Sequence, residues 1–300
     1  MKLAAVADIS KNALNKAKKA GVSNTYTDYQ ELLNNPQIDA VIIALPTHLH
    51  AKCAIAAAEA HKHILLEKPI ARNAIEANEI LSKAKANNIK IMVGHPLRFS
   101  APFIELKKRL VNGEMGEIQT AYAADIGSGP FVYRSETGAP VPVPDWWWKK
   151  EFVGGGALLD LGSHMINVAQ WYFGDVVDAK SYLGYRYNME HEDFAIALLK
   201  FAKGPMVIVN VGWYAEQTQM QFDVHGTCGK ATASLETASR IKTISKLLLR
   251  KTPPYYIPWL KEVEHFAESI KKDQQPQPSG EAGFKDLLAI EIAYKNSIKM

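Results

Sequence analysis

Over the first hundred residues, short apolar runs alternate with helix-like patterns, and this alternation constrains the fold more than any other feature of the chain. Leu3 to Ala7, Asp39 to Leu45, His63 to Leu66 and Lys90 to Val93 are too short for helices and too continuously apolar for half-exposed strands. They read as strands buried on both faces. Between them, Ser10 caps a predicted helix reaching to about Ala20, which Gly21 stops. Asp28 opens a short helix that ends before Pro36, and Ala51 to Ala60 and Ala74 to Ala86 are further helices. Repeated strand-helix units require a parallel sheet wrapped by helices on both faces.

The rhythm changes after Arg98. A helix at Ala101 to Val111 and a strand at Glu117 to Asp125 lead into a long loop, Gly127 to Gly156, rich in Gly, Pro and Trp. A helix at Ala157 to Phe173 follows, then strands without intervening helices from Val177 to about Leu235. Consecutive strands favour a largely antiparallel sheet. Lys271 to Pro278 is a polar connector and Ser279 begins a final helix. At 300 residues the chain exceeds a single core. The expected fold class is α/β: a parallel-sheet domain over residues 1–97, then an α+β domain over 98–300 with a large, mostly antiparallel, open-faced sheet.

Bulk properties exclude several functions. A net charge of +4 is too mild to suggest nucleic acid as a partner. The most basic stretch, Arg240 to Lys251, reads as a solvated face, with an anion site as the alternative. The apolar run at the start ends at Asp8, too soon for a secretory signal, and no run is long enough to span a membrane. Cys53 and Cys228 form no CxxC pair, which fits a reduced, cytoplasmic setting without a disulfide.

Candidate site residues gather where strands end. Asp8 follows the first strand, where an acid accepts hydrogen bonds from ribose hydroxyls in a dinucleotide fold and repels a 2′-phosphate. It can equally be the aspartate that leads into the helix at Ser10. Leu45-Pro46-Thr47-His48-Leu49-His50 follows the strongest strand, at the edge where open parallel sheets bind ligands. Pro46 fixes the turn, Thr47 can donate, and the next helix points its amino end at the site. His48 and His50, like His61 and His63, lack the partners of a zinc site, so no metal is expected. Glu67-Lys68-Pro69 closes the next strand, and a lysine there can hold an alkoxide oxygen as hydride leaves its carbon. A cis bond at Pro69 would suit the turn. A surface ion pair is the plain alternative.

Gly154-Gly155-Gly156 allow close backbone approach at a helix entrance, and Asp160 and His164 then fall four apart on one helix face. His164 can take a proton from a hydroxyl while Asp160 positions the substrate or the imidazole. A buried, satisfied histidine is the alternative. In Pro140 to Trp148, tryptophan faces suit the C–H faces of a sugar, but packing at an interface or domain junction is the preferred reading. Tyr185 and Tyr187 are candidates for the same cleft.

The order of these motifs (Ala7-Asp8, Pro46-Thr47 to His50, Glu67-Lys68-Pro69, Gly94-His95 with Arg98-Phe99, then the triple glycine with Asp160 and His164) resembles the glucose-fructose oxidoreductase, inositol dehydrogenase and MocA-like (Gfo/Idh/MocA) family over nearly the whole chain. The resemblance implies a Rossmann domain, a substrate-binding and oligomerising second domain, and bound NAD or NADP. It implies hydride transfer between nicotinamide and a hydroxyl-bearing carbon of a sugar or polyol. It assigns catalysis to Lys68, Asp160 and His164. It assigns cofactor contacts to Asp8, Leu45, Pro46, Thr47, His50, Glu67 and Lys68. It also implies a homodimer or homotetramer joined through the second sheet.

Two departures stand out. An acid common in the family three residues after the motif histidine is Asn167 here. The family's first strand and GxGxxG turn have no counterpart, since the first glycine is Gly21. The chain is therefore expected to lack the central strand of the parallel sheet, and to bind a dinucleotide weakly. An NAD-dependent glycoside hydrolase of the same family and a non-catalytic nucleotide-binding protein are the competing functions.

Overall fold

The computed structural model describes residues 2–129, 143–187, 189–215, 218–236 and 257–300. Parallel strand-helix units occupy the amino-terminal part: β1 (Ala5–Ala7), α1 (Lys11–Lys19), β2 (Asn24–Tyr26), α2 (Tyr29–Leu33), β3 (Ala40–Ile43), α3 (Thr47–Glu59), β4 (His63–Leu66), α4 (Ala74–Ala86) and β5 (Ile91–Val93). The caps form as the sequence predicts: Ser10 accepts from the Ala13 amide, Asp28 from Gln30, and Gly21 takes a positive φ of 91° after α1. Helix α3 begins at Thr47, earlier than predicted, because Pro46 already holds a φ suited to a helix start.

Strands β3, β4 and β5 pair in parallel, so Ile43, Leu66 and Val93 end at one edge of the sheet. Ile64 and Leu66 are fully buried, each stabilising by about 1.5–3 kcal/mol. Strands β1 and β2 form a separate parallel pair, and among the described residues β1 is not bonded to β3. The parallel layer thus stands as two pieces, β1-β2 and β3-β4-β5.

The chain then runs through a 3₁₀ turn (Pro96–Phe99), α5 (Ala101–Val111), β6 (Ile118–Ile126), a second 3₁₀ turn (Asp145–Trp148), α6 (Lys150–Val153), α7 (Ala157–Asp160) and α8 (Gly162–Phe173). Strands β7 (Val176–Gly184), β8 (Phe194–Phe201), β9 (Met206–Gly212), β10 (Gln219–Gly226) and β11 (Gly229–Glu236) follow, then α9 (Ile257–Lys271), α10 (Gly280–Lys295) and β12 (Ser297–Lys299). The seven-stranded sheet has the order β11-β10-β6-β9-β8-β7-β12. It is antiparallel except at β6/β9 and β7/β12. Inward residues such as Ala195, Ala197, Leu199, Val207 and Val209 are buried beneath α8 and α10. Tyr182, Ile196, Leu198, Met206 and Ile208 alternate with them on the opposite, exposed face.

Several features differ from the sequence reading, among them β2, β12 and the short helical turns Asp145–Trp148 and Lys150–Val153 within the expected loop. The predicted helix from Ala157 to Phe173 breaks at Leu161 into α7 and α8. Helix α9 was not anticipated, and it packs Phe266 against Leu65 and Met92 of the parallel sheet. Helix α10 also returns to that sheet, where Ser279 bridges to Met92. The basic stretch 240–251 and residues 140–142 of the tryptophan loop lie outside the described residues. Both cysteines are free, with Cys53 buried and Cys228 exposed. No described helix is long and apolar enough to cross a membrane.

Candidate active site

Parallel pairing gathers the loops after β3, β4 and β5 at one sheet edge, so residues distant in sequence meet there. Lys68 follows β4, and its peptide bond to Pro69 is cis. Its Nζ lies 2.5 Å from Asp160 Oδ1 and donates to the Asp160 carbonyl at 2.9 Å. Asp160 is the last residue of α7, and the Ser163 hydroxyl donates to the same carbonyl at 2.8 Å. Burial works against the Lys68 charge. The Asp160 carboxylate outweighs it, helped by Asp125 and Glu67, and holds the ammonium above its usual range.

The break at Leu161 changes the expected pairing. Asp160 turns to Lys68, and His164, one turn into α8, meets the edge of the His95 ring at 6.2 Å instead. His164 Nδ1 is buried with no partner among the described residues. Burial, reinforced by the charges of Lys68 and His95, pushes its pKa well below the usual value. The ring is therefore neutral and able to accept a proton.

The glycine run has a packing reason. Gly154 adopts φ 88° against the Arg72 backbone, and a Cβ on Gly156 would lie 1.9 Å from the Glu192 carbonyl oxygen. Buried Glu192 accepts from the Gly156 and Leu158 amides at 3.2 and 2.9 Å and from the Tyr294 hydroxyl at 2.7 Å. This acid anchors the start of α7 and hence the position of Asp160.

The remaining candidates divide. Glu67 accepts from the Lys68 amide at 3.2 Å and lies beside Gly94. Leu45, Pro46 and Thr47 form the rim at the start of α3, which has no side-chain cap. Asp8 stands at the end of β1, accepting from the Ser10 amide at 2.7 Å. It thus makes the helix-leading contact, on the sheet piece separate from β3. His50 is corrected: its ring is buried, with Nε2 2.8 Å from the Leu45 carbonyl and Nδ1 2.9 Å from the Pro69 carbonyl. It staples the two strand-end loops together and offers no free ring nitrogen to a cofactor. His48 packs against Phe152 at 4.8 Å and Trp146 at 6.1 Å, while Trp147 packs against Trp213 at 4.8 Å and His191 at 5.0 Å. No described group of His, Cys, Asp and Glu could hold a metal ion.

Several residues escaped the sequence reading. Asp286 of α10 lies 3.1 Å from His95 Nε2 and accepts from Asn167 at 2.6 Å and Gln170 at 2.7 Å. Asn167 in turn accepts from Arg98 Nε at 2.7 Å. An acid therefore stands beside Asn167, supplied by another helix. Glu262 of α9 accepts from the His95 amide at 2.5 Å, and burial, with the charge of Glu67, pushes its pKa up to about 8. Asp125, near the end of β6, is buried; burial raises its pKa to about 7 against the pull of Lys68, and Asp160 adds to the rise. Its signal was an acid following Ala121 and Ala123 on the inward side of a strand.

An open parallel sheet with a charged pair at its carboxyl edge, joined to an open-faced mixed sheet, defines a two-part oxidoreductase architecture. Residues 1–95 match the oxidoreductase family model with an NAD-binding Rossmann fold, and residues 103–232 match the Gfo/Idh/MocA C-terminal domain. The chain belongs to the Gfo/Idh/MocA family. It is 27% identical over 313 residues to a myo-inositol 2-dehydrogenase of Thermotoga maritima, covering 99% of this chain and 89% of the relative. A levoglucosan dehydrogenase of Pseudarthrobacter phenanthrenivorans is 27% identical over 259 residues, covering 77% of this chain and 64% of the relative. Among solved structures, the WlbA dehydrogenase of Bordetella pertussis in complex with NADH and UDP-GlcNAcA superposes with a TM-score of 0.82 at 22% identity, covering 98% of this chain and 87% of that one.

Proposed function

We propose that this chain is an NAD(P)-dependent oxidoreductase that moves a hydride between nicotinamide and a hydroxyl-bearing carbon of a sugar or polyol. The observation that carries the reading is the Lys68–Asp160 pair at the carboxyl edge of the parallel sheet, with the neutral imidazole of His164 close enough to feel the Lys68 charge. Relatives named as inositol and levoglucosan dehydrogenases support the substrate class. The NADH complex of a structural relative supports the cofactor.

The donor set fits the nucleoside ends of a dinucleotide. Asp8 suits ribose hydroxyls and favours NAD over NADP, and the uncapped start of α3 at Thr47 leaves amide donors facing the edge. Glu67 and Lys68 would hold the nicotinamide end. The described residues supply no glycine-rich turn for the pyrophosphate. When bound, the nicotinamide supplies the hydride acceptor in oxidation and the donor in reduction. Lys68 hydrogen-bonds the reacting oxygen and stabilises the charge that develops on it. His164 takes the hydroxyl proton in oxidation and returns it in reduction. Asp160 holds the ammonium in place.

Residues 1–97 would carry the cofactor and 98–300 the substrate. Two or four copies would associate through the exposed apolar face of the mixed sheet, covering Ile196, Leu198 and Ile208. The test is a panel of polyols and sugars at saturating NAD. Net NADH formation with a polyhydroxy substrate supports the reading, and release of free sugar from a glycoside without net NADH overturns it.

A further inference from the structure

Buried polar side chains fix one another's donors and acceptors, and one such chain of contacts runs through α8 and α10 to the ring beside His164. Arg98 can only donate, so the Asn167 oxygen faces it, 2.7 Å from Nε. The Asn167 side-chain nitrogen must then donate, and it does so to Asp286 Oδ2 at 2.6 Å. Gln170 is settled in the same way. Its oxygen accepts from the Val176 amide at 3.3 Å, and its nitrogen donates to Asp286 Oδ1 at 2.7 Å. Both oxygens of Asp286 are therefore acceptors. His95 Nε2, 3.1 Å from Oδ2, is the third donor, and both of these side chains are almost wholly buried. This contact assigns a hydrogen to Nε2 of His95. The main-chain amide of His95 donates to Glu262 at 2.5 Å, so α9 holds its backbone and α10 its ring. The ring stands edge-on to His164, with centroids 6.2 Å apart and planes at 88°. Among the described residues His164 Nδ1 makes no hydrogen bond, so the orientation of that imidazole depends on what packs against it.

We propose that Asp286 is a positioning residue that acts through His95. It holds the His95 ring with Nε2–H turned to α10, and that ring, seated edge-on, keeps the His164 imidazole where it takes the hydroxyl proton. Asn167 and Gln170 fill the other acceptor positions of Asp286 and so aim its carboxyl. The inference deepens the dehydrogenase reading and rests on it for its catalytic meaning. Its structural content can be measured without substrate or cofactor.

The test is the tautomer of His95, read from ring proton–nitrogen correlations by NMR in protein carrying isotope-labelled histidine, alongside steady-state turnover. His95→Phe and His164→Phe assign the two rings. Wild type should carry hydrogen on Nε2 of His95. Asp286→Asn sets an amide donor among three donors. It should move the His95 hydrogen toward Nδ1, displace the His164 ring resonances, and lower kcat at least about tenfold with KM little changed across polyols. Adding Gln170→Glu gives the new amide an acceptor and frees the asparagine oxygen for His95. The pair should restore the tautomer and most of kcat. If Asp286→Asn does not fold, His95→Phe keeps a ring against His164 without the bond to Asp286, and should show the same loss in kcat and the same displacement of His164. Hydrogen on Nδ1 of His95 in wild type overturns the proposal. So does a fall in kcat while the His95 tautomer and the His164 resonances stay as in wild type. If both rings respond to Asp286→Asn but wild type oxidises no polyol, the positioning of His164 stands and the dehydrogenase reading falls.

Discussion

Glu262→Gln isolates a proton that folding places behind the site. In the unfolded chain Glu262 loses its proton near 4.5, whereas burial and the neighbouring Glu67 hold it to about 8 in the folded chain. Between those values the native state binds the extra proton, so stability falls as pH rises, the reverse of an ordinary salt-bridged acid. The change is worth about 5 kcal/mol at high pH, of which about 3 kcal/mol falls between pH 5 and pH 8. Glutamine keeps an oxygen for the 2.5 Å bond from the His95 amide and has no proton to lose. The variant should therefore resist the decline, and its melting temperature should gain on wild type by about 5 °C from pH 5 to pH 8. Differential scanning fluorimetry across that range measures this. Parallel curves would mean that Glu262 is ionised and solvated in the native protein, refuting the buried contact between α9 and His95.

Gly156→Ala places a methyl 1.9 Å from the Glu192 carbonyl oxygen, a backbone atom that cannot swing away. It should cost about 3 kcal/mol or more, and an unchanged thermal melt would contradict the packing described for the start of α7.

Local chemistry made much of the fold legible. Ser10, Asp28 and Ser279 each cap the helix they precede, because a side-chain oxygen competes for the first free amides wherever it meets a helical pattern. The continuous apolar run at Ile64 identified a strand covered on both faces, whereas β3 is covered on one: Val41 and Ile43 are buried and Ile42 is exposed. Pairings between distant segments were not legible: β6 lies beside β9 in parallel, a choice set by the packing of the whole sheet. The Leu161 break was hidden because Asp160 and His164 fit one helix face equally well on paper. Lys68 was visible by its place at a strand end. Asp125, Asp286 and Glu262 were not, since an acid in a strand or amphipathic helix reads as solvent-facing until tertiary structure buries it.

The central claim is that Lys68 stabilises the oxygen from whose carbon the hydride departs. The direct measurement is single-turnover transfer of deuterium from the carbinol carbon of a labelled polyol to nicotinamide, in wild type and Lys68→Met at saturating cofactor. Label should pass to the nicotinamide in the wild type and slow by about 10²- to 10³-fold in a folded variant. Transfer at the wild-type rate without the ammonium would contradict the account.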